Sequence, residues 1–243
     1  MHLESDLNSP IQDNWLLDST LRGIKREHGI PPNQKLPITP GILQIIRGQL
    51  EPSSPYDQAF WAACVVAFFG FLRKSSLVPQ SSSKVLTEVL SRQDISFTKD
   101  GVNLSIHKTK TIQFGDRILM IPLPKIYGSP LCPVSALQKL MAFENVPSSA
   151  PLFSYPTPSG FAFVTHAKFV NSLRKSLSKG GLDPSKYSGH SFRRGGASFA
   201  FACGIPSEII KLQGDWKSSA YQRYITAPLR LRQDLSRVLA LNL

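Results

Sequence analysis

The longest apolar run of the chain lies at residues 60–72 and sets the first constraint on the fold. Its 13 residues are too few to cross a lipid bilayer, because a membrane-spanning helix needs about 20. A helix that is apolar on every side must be surrounded by other elements, so the run predicts a buried central helix. The 243 residues, 42% of them hydrophobic, can supply such surroundings within one domain of ordinary size.

Proline, glycine and serine clusters divide the rest of the chain into short elements. The apolar spacing predicts helices at 15–28, 40–50, 56–72, 133–143, 166–179, 191–203, 206–212, 217–225 and 229–241. Residues 102–108 and 117–123 have strand character and flank a turn at 113–116, which predicts an antiparallel hairpin. The expected fold class is therefore mainly α with a small antiparallel β-sheet.

The basic residues are concentrated towards the C-terminal end. The chain has 28 Lys and Arg against 16 Asp and Glu, and residues 166–232 hold 12 of the basic residues but only 3 of the acidic ones. A compact body with this charge attracts polyanions, and nucleic acid is the first candidate, although a basic face in contact with solvent is common.

The cysteines and the N-terminal residues bear on the compartment. Cys64, Cys132 and Cys203 are odd in number and far apart, so they form neither a disulfide framework nor a metal-binding cluster. The N-terminus has no basic-then-apolar signal pattern. We expect a reducing compartment and no membrane, which places the protein in the nucleus of a eukaryotic cell or otherwise in the cytoplasm.

The segment 188–197 reads Ser-Gly-His-Ser-Phe-Arg-Arg-Gly-Gly-Ala and carries two candidate phosphate ligands. His190 and Arg193 are three positions apart, so both project near the N-terminus of a helix that starts at Ser191. An arginine fork can donate two parallel hydrogen bonds to phosphate oxygens. Gly195 and Gly196 keep the next turn slim, which allows another element to pack closely.

A second segment of interest, 214–225, reads Gly-Asp-Trp-Lys-Ser-Ser-Ala-Tyr-Gln-Arg-Tyr-Ile. Tyr221 and Tyr224 lie among basic residues, which lower the cost of a phenolate and so favour a tyrosine nucleophile. Taken singly, each tyrosine is more often a core residue.

Four strings in order make the chain resemble the tyrosine recombinases, the phage-integrase family, and most closely those of DIRS-type and Crypton-type mobile elements. These are Phe-Gly-Phe-Leu-Arg-Lys-Ser-Ser-Leu at 69–77, Lys-Thr-Lys-Thr at 108–111, the string at 188–197, and the tyrosine segment at 214–225, which includes Trp216. The resemblance covers residues 37–243 and implies the tyrosine recombinase catalytic-domain fold, which is the fold of DNA breaking-rejoining enzymes.

The resemblance also implies a mechanism, in which Tyr224 attacks a DNA phosphate and forms a 3′-phosphotyrosine. Arg73 and Arg193 would hold the non-bridging oxygens, Lys110 would protonate the leaving 5′-oxygen, and His190 would assist proton transfer. Trp216 would position the phosphate. Since phosphotyrosine stores the bond energy, we expect no metal, nucleotide or other small-molecule cofactor.

Three assignments within this set stay open. The spacing from Gly214 places Asp215, rather than Trp216, at the usual His or Trp position of the family. Tyr221 is an alternative nucleophile, and Lys108 competes with Lys110 as the general acid.

The N-terminal segment and the partners are also expectations from the resemblance. Residues 1–36 are an N-terminal arm that resembles the end of a helical DNA-clamping (core-binding) domain. The partners would be double-stranded DNA and further copies of the chain, with the helix at 229–241 exchanged in a DNA-bound tetramer or packed on its own body. The alternatives to a recombinase are a DNA-binding module derived from one, without turnover, and a relaxase similar to type IB topoisomerases.

Overall fold

The protein is described here from a computed structural model, which covers residues 15–28, 34–81, 89–107, 112, 117–218 and 221–222. The chain divides into two compact units, Met1–Gln34 and Lys35–Leu243. The first unit contains helix α1 (Trp15–His28), which has the range expected from the sequence. Its origin in a DNA-clamping domain stays a prediction.

The described part of the second unit is mainly helical. Its helices are α2 (Pro40–Gly48), α3 (Pro55–Phe69), α4 (Lys74–Leu77), α5 (Pro133–Met141), α6 (His166–Lys179), α7 (His190–Ala202) and α8 (Ser207–Gln213). The predicted helices within the described residues are confirmed, with ends that differ by a few residues. The helix predicted at 229–241, and most of the one at 217–225, lie outside the described residues.

Local signals explain where these helices begin. Thr39 caps α2 by accepting a hydrogen bond from the Ile42 amide, and Pro40 occupies the first turn. Ser54 caps α3 in the same way, again before a proline. Thr165 caps α6 by accepting from the Lys168 amide.

The strands form two antiparallel sheets. β1 (Ile95–Phe97), β2 (Gly101–Ile106) and β3 (Leu119–Pro124) pair in the order β1-β2-β3, and Leu104 lies opposite Ile121. A separate hairpin joins β4 (Ser154–Thr157) to β5 (Gly160–Phe163). The predicted hairpin is present as β2 and β3, whereas β1 and the β4–β5 hairpin were not expected. The predicted turn at 113–116 lies outside the described residues.

The apolar run of the sequence is the centre of the core. Every residue at 59–68 in α3 is buried, so this helix has no solvent face. The rings of Phe60 and Phe169 lie 5.5 Å apart, and those of Phe169 and Phe192 also lie 5.5 Å apart, so α3, α6 and α7 share one core. The expected fold class is confirmed. Among the described helices, none is long and apolar enough to span a membrane.

Candidate active site

Arg73 is presented by a strained turn at the end of α3. Phe71 has a φ of 48°, a left-handed conformation that is costly for a bulky residue. Two residues later, Arg73 precedes the first turn of α4. The Arg73 side chain is half-buried, and within the described residues no hydrogen bond or ion pair occupies its guanidinium.

Two glycines bring α7 against this turn. A Cβ atom on Gly195 would lie 1.7 Å from the Ile38 carbonyl oxygen, and one on Gly196 would lie 2.0 Å from the Phe68 carbonyl oxygen. No larger residue could allow these approaches. The expectation that the turn after Arg193 must be slim is therefore confirmed. At the start of α7, Gly189 lies against Lys74, so this end of the helix is beside α4.

His190, the first residue of α7, lies among cations from two helices. Partial desolvation of the ring, followed by the charges of Arg193, Arg73 and Lys74, holds the pKa of His190 below its usual value. The imidazole is therefore neutral at physiological pH, and it can accept a proton. The side chain is exposed to solvent, where a ligand can reach it.

Arg193 is buried and holds two turns together. Its side chain is 2% exposed. One Nη atom donates to the Phe71 carbonyl oxygen, and the other donates to the Gly214 carbonyl oxygen at 2.6 Å. Its guanidinium carbon also lies 3.8 Å from the centre of the Trp216 ring, a cation–π contact. The turn before Arg73 and the turn at Gly214, where the tyrosine segment begins, are thus bound to the same side chain.

Trp216 and Asp215 have separate partners. The Trp216 ring is buried against Arg193, and a Cβ atom on Gly214 would lie 1.7 Å from it, so Gly214 makes room for the indole. Asp215 has a φ of 50° and pairs with Arg117, which precedes β3. No pattern in the sequence predicts this ion pair. It joins the sheet to the tyrosine segment.

The remaining predicted residues differ in what the structure describes. Tyr221 is 8% exposed, and its ring lies 6.2 Å from that of Trp216 in a small apolar cluster with Phe71 and Ile210. This packing is what the core interpretation of Tyr221 predicts, and it argues against Tyr221 as the nucleophile. Lys108, Lys110 and Tyr224 lie outside the described residues.

The structure therefore brings four predicted site residues into one region: Arg73, His190, Arg193 and Trp216. It also adds Lys74 and Arg117, which the sequence analysis does not include among the site residues. In the parts of the chain that the structure describes, no group of three or more His, Cys, Asp or Glu side chains could hold a metal ion.

Comparisons with known proteins bear on the fold. No protein-family model and no curated sequence matches the chain. Among solved structures, the chain is similar to XerH, a site-specific recombinase bound to its palindromic difH substrate in a post-cleavage complex. The TM-score is 0.60 at 17% identity, over 84% of this chain and 53% of XerH.

Two further structures agree. XerA recombinase gives a TM-score of 0.56 at 14% identity, over 88% of this chain and 67% of XerA. A lambda integrase dimer bound to a COC′ core site gives a TM-score of 0.53 at 13% identity, over 86% of this chain and 57% of the integrase. The chain thus spans about half the length of XerH and lambda integrase. The closer likeness to DIRS-type and Crypton-type elements stays a prediction. The structural neighbours are tyrosine recombinases, and the chain has the fold of their catalytic domain.

Proposed function

We propose that the chain cleaves and rejoins double-stranded DNA through a 3′-phosphotyrosine on Tyr224, as a site-specific recombinase or integrase. The observation that supports this most strongly is the cluster of Arg73, Lys74 and the neutral His190 imidazole. Residues far apart in sequence meet there, and no described carboxylate pairs with Arg73 or Lys74. Two half-buried cations without acidic partners among the described residues, beside an imidazole, are complementary to a phosphodiester.

In the proposed reaction, the Tyr224 oxygen attacks phosphorus and the bond from phosphorus to the 5′-oxygen breaks. The phenol proton passes to neutral His190, and Lys110 gives a proton to the leaving 5′-oxygen. Arg73 and Arg193 stabilise the charge on the non-bridging oxygens as it builds up. Rejoining is the reverse, with a 5′-hydroxyl as the attacking group, so that no external energy source is consumed.

The neighbours' own ligands support DNA as the partner. XerH and the lambda integrase dimer are each bound to a DNA site in the similar structures. The net charge of +12 is in keeping with such a partner. Assembly into a tetramer on DNA, a role in mobile-element integration and a nuclear location belong to the same proposal.

The test is covalent trapping on a pool of random-sequence duplexes that carry a 5′-bridging phosphorothiolate. Cleavage releases a thiol that rejoins poorly, so the DNA stays attached to the protein on a denaturing gel. Wild type and Tyr221→Phe should form the adduct, whereas Tyr224→Phe should not. An adduct of equal yield in Tyr224→Phe would contradict the proposed nucleophile.

The burial of Arg193 favours a second candidate function. Two of its N–H groups are bound to the carbonyls of Phe71 and Gly214, as in a structural clamp. A DNA-binding module without turnover would keep this clamp and the exposed His190. It would bind duplex DNA with strong salt dependence and yield no adduct under the conditions above.

The proposed assembly, in which segment 229–241 is exchanged between copies of the chain rather than packed on its own body, has its own test. Deletion of all residues after Pro228 should abolish DNA-bound tetramers in analytical ultracentrifugation while leaving the thermal unfolding of the monomer cooperative. Loss of cooperative unfolding would show that the segment packs on its own body.

A further inference from the structure

Lys74 is a cation of the site to which the family resemblance gives no role. It directly follows Arg73 and is the first residue of α4, a helix of four residues. Ser76 and Leu77 are buried and anchor this short helix, while the Lys74 side chain is half-buried at the edge of the cluster. The backbone of Lys74 is therefore fixed by its neighbours, and its side chain lies where α4 meets α7.

The stem of Lys74 packs along Gly189, the residue before His190. A Cβ atom on Gly189 would lie 3.1 Å from both the Cβ and the Cδ of Lys74, and 3.4 Å from its Cγ. The missing side chain at position 189 thus lets the lysine stem lie flat against the start of α7. Gly189 is itself buried, so this contact is part of the packed structure.

The charge of Lys74 reaches two imidazoles. Desolvation lowers the pKa of His166, the first residue of α6, and the positive charge of Lys74 is the second-largest cause. The same charge contributes to the lowered pKa of His190. The charge of Lys74 thus acts on both rings, and the charge of Arg73 acts on His190 as well.

Within the described ranges, no acidic side chain forms an ion pair with Lys74. The ion pairs of the described residues are His107–Asp94, Arg117–Asp215 and Lys186–Asp183, and none includes Lys74. Lys74 is half-buried and follows Arg73 in the chain, and positive charges brought together in this way attract an anion.

We propose that Lys74 is a further phosphate-binding residue, whose ammonium binds the same phosphate group as Arg73 and His190. This inference rests on the proposed function, in that the phosphate is one of the DNA backbone. Lys74 adds one cation to the set that the resemblance implies. Gly189 is a positioning residue, because its lack of a side chain leaves room for the aliphatic part of Lys74.

The test follows inorganic phosphate binding by NMR of the full chain, read from the imidazole signals of His190. Phosphate should shift these signals in wild type, and Lys74→Gln should weaken its affinity by about tenfold, the value of one charge-assisted hydrogen bond. Lys74→Arg keeps the charge and should retain most of the affinity. Lys139→Gln is the matched control, because it removes an exposed lysine from α5 and should have no effect.

Two further measurements separate a binding role from a structural one. Lys74→Gln should raise the pKa of both His166 and His190, and the slope of DNA affinity against salt should fall by about one contact. Gly189→Ala should displace the lysine stem and weaken phosphate binding with the charge retained. Thermal unfolding of each variant confirms that it is folded.

The outcomes distinguish this inference from the proposed function. Unchanged phosphate affinity in folded Lys74→Gln would overturn the role of Lys74, even if wild type forms the Tyr224 adduct. Phosphate binding that depends on Lys74, in a protein that forms no adduct, would support the role of Lys74 and contradict DNA cleavage.

Discussion

Replacement of Gly195 by alanine tests the packing that positions α7. The added Cβ would lie 1.7 Å from the Ile38 carbonyl oxygen, whereas Cβ contacts under 3.0 Å essentially never occur. The loop segment at Ile38 must therefore move away. Ile38 is fully buried and its amide donates to the Ser191 carbonyl at 2.9 Å, so the movement also weakens a hydrogen bond and unpacks a side chain.

The size of the effect follows from these losses. Overpacking costs about 1–3 kcal/mol, and the weakened hydrogen bond adds about 1 kcal/mol. Alanine recovers up to about 1 kcal/mol of helix propensity, which leaves a net loss of about 2 kcal/mol in the free energy of unfolding. For a chain of this length, that loss lowers the melting temperature by about 6 °C.

The assay is thermal and urea unfolding of the full chain, followed by circular dichroism. Gly48→Ala is the matched control, since Gly48 is exposed at the end of α2 and a Cβ there would meet nothing within 4 Å. This control should be neutral or up to about 1 kcal/mol more stable. If Gly195→Ala is as stable as Gly48→Ala, the close approach of α7 to Ile38 is refuted.

Three further changes have expected outcomes. Arg92 is 4% exposed and donates to three carbonyls at the end of α5, at 3.0, 3.0 and 3.1 Å, so Arg92→Leu should lower the free energy of unfolding in urea by about 3 kcal/mol. Desolvation and the charge of Lys74 hold the pKa of His166 below its usual value. Below the ordinary histidine pKa, the unfolded chain therefore binds a proton that the folded chain does not bind. The free energy of unfolding falls as the pH drops from the ordinary pKa towards the lowered one. His166→Gln should therefore lose less stability than wild type between about pH 7.5 and pH 5, as measured by urea unfolding at each pH. The Arg117–Asp215 pair is partly exposed, and a double-mutant cycle with Arg117→Gln and Asp215→Asn should give a coupling of at most about 1 kcal/mol; a larger coupling would contradict this estimate.

The helices were predictable where local signals and apolar spacing agree. α1 and α6 have the ranges that the sequence predicts, and Thr39 with Pro40 marks the start of α2. α4 could not be predicted, because four residues without a side-chain cap hold a helix only through burial of Ser76 and Leu77. Tertiary contacts decide such short elements.

The missed strands have a similar cause. β4 contains Pro156, a residue that usually argues against a strand, and its only strand partner among the described residues is β5. β1 has three residues and depends on β2, where Phe97 lies opposite Val102. A periodicity of two cannot be detected over so few positions.

The identities of the described site residues could be predicted from the sequence, whereas the contacts that these residues make could not. Arg73, His190, Arg193 and Trp216 were identified from ordered strings, and the structure places them in one region, while their roles stay predictions. The partners of Arg193 are backbone carbonyls, which a sequence pattern does not encode. The Arg117–Asp215 pair links residues 98 positions apart and depends on how the sheet meets the segment after α8.

The two non-glycine residues of the described chain that have a left-handed backbone, Phe71 and Asp215, lie at the two turns that Arg193 holds. A shift of the Gly214 turn breaks a hydrogen bond of the same guanidinium that fixes the turn before Arg73. The turn that precedes Arg73 and the turn at Gly214 are consequently coupled to each other. A displacement of either turn is transmitted to the other through the planar guanidinium of Arg193.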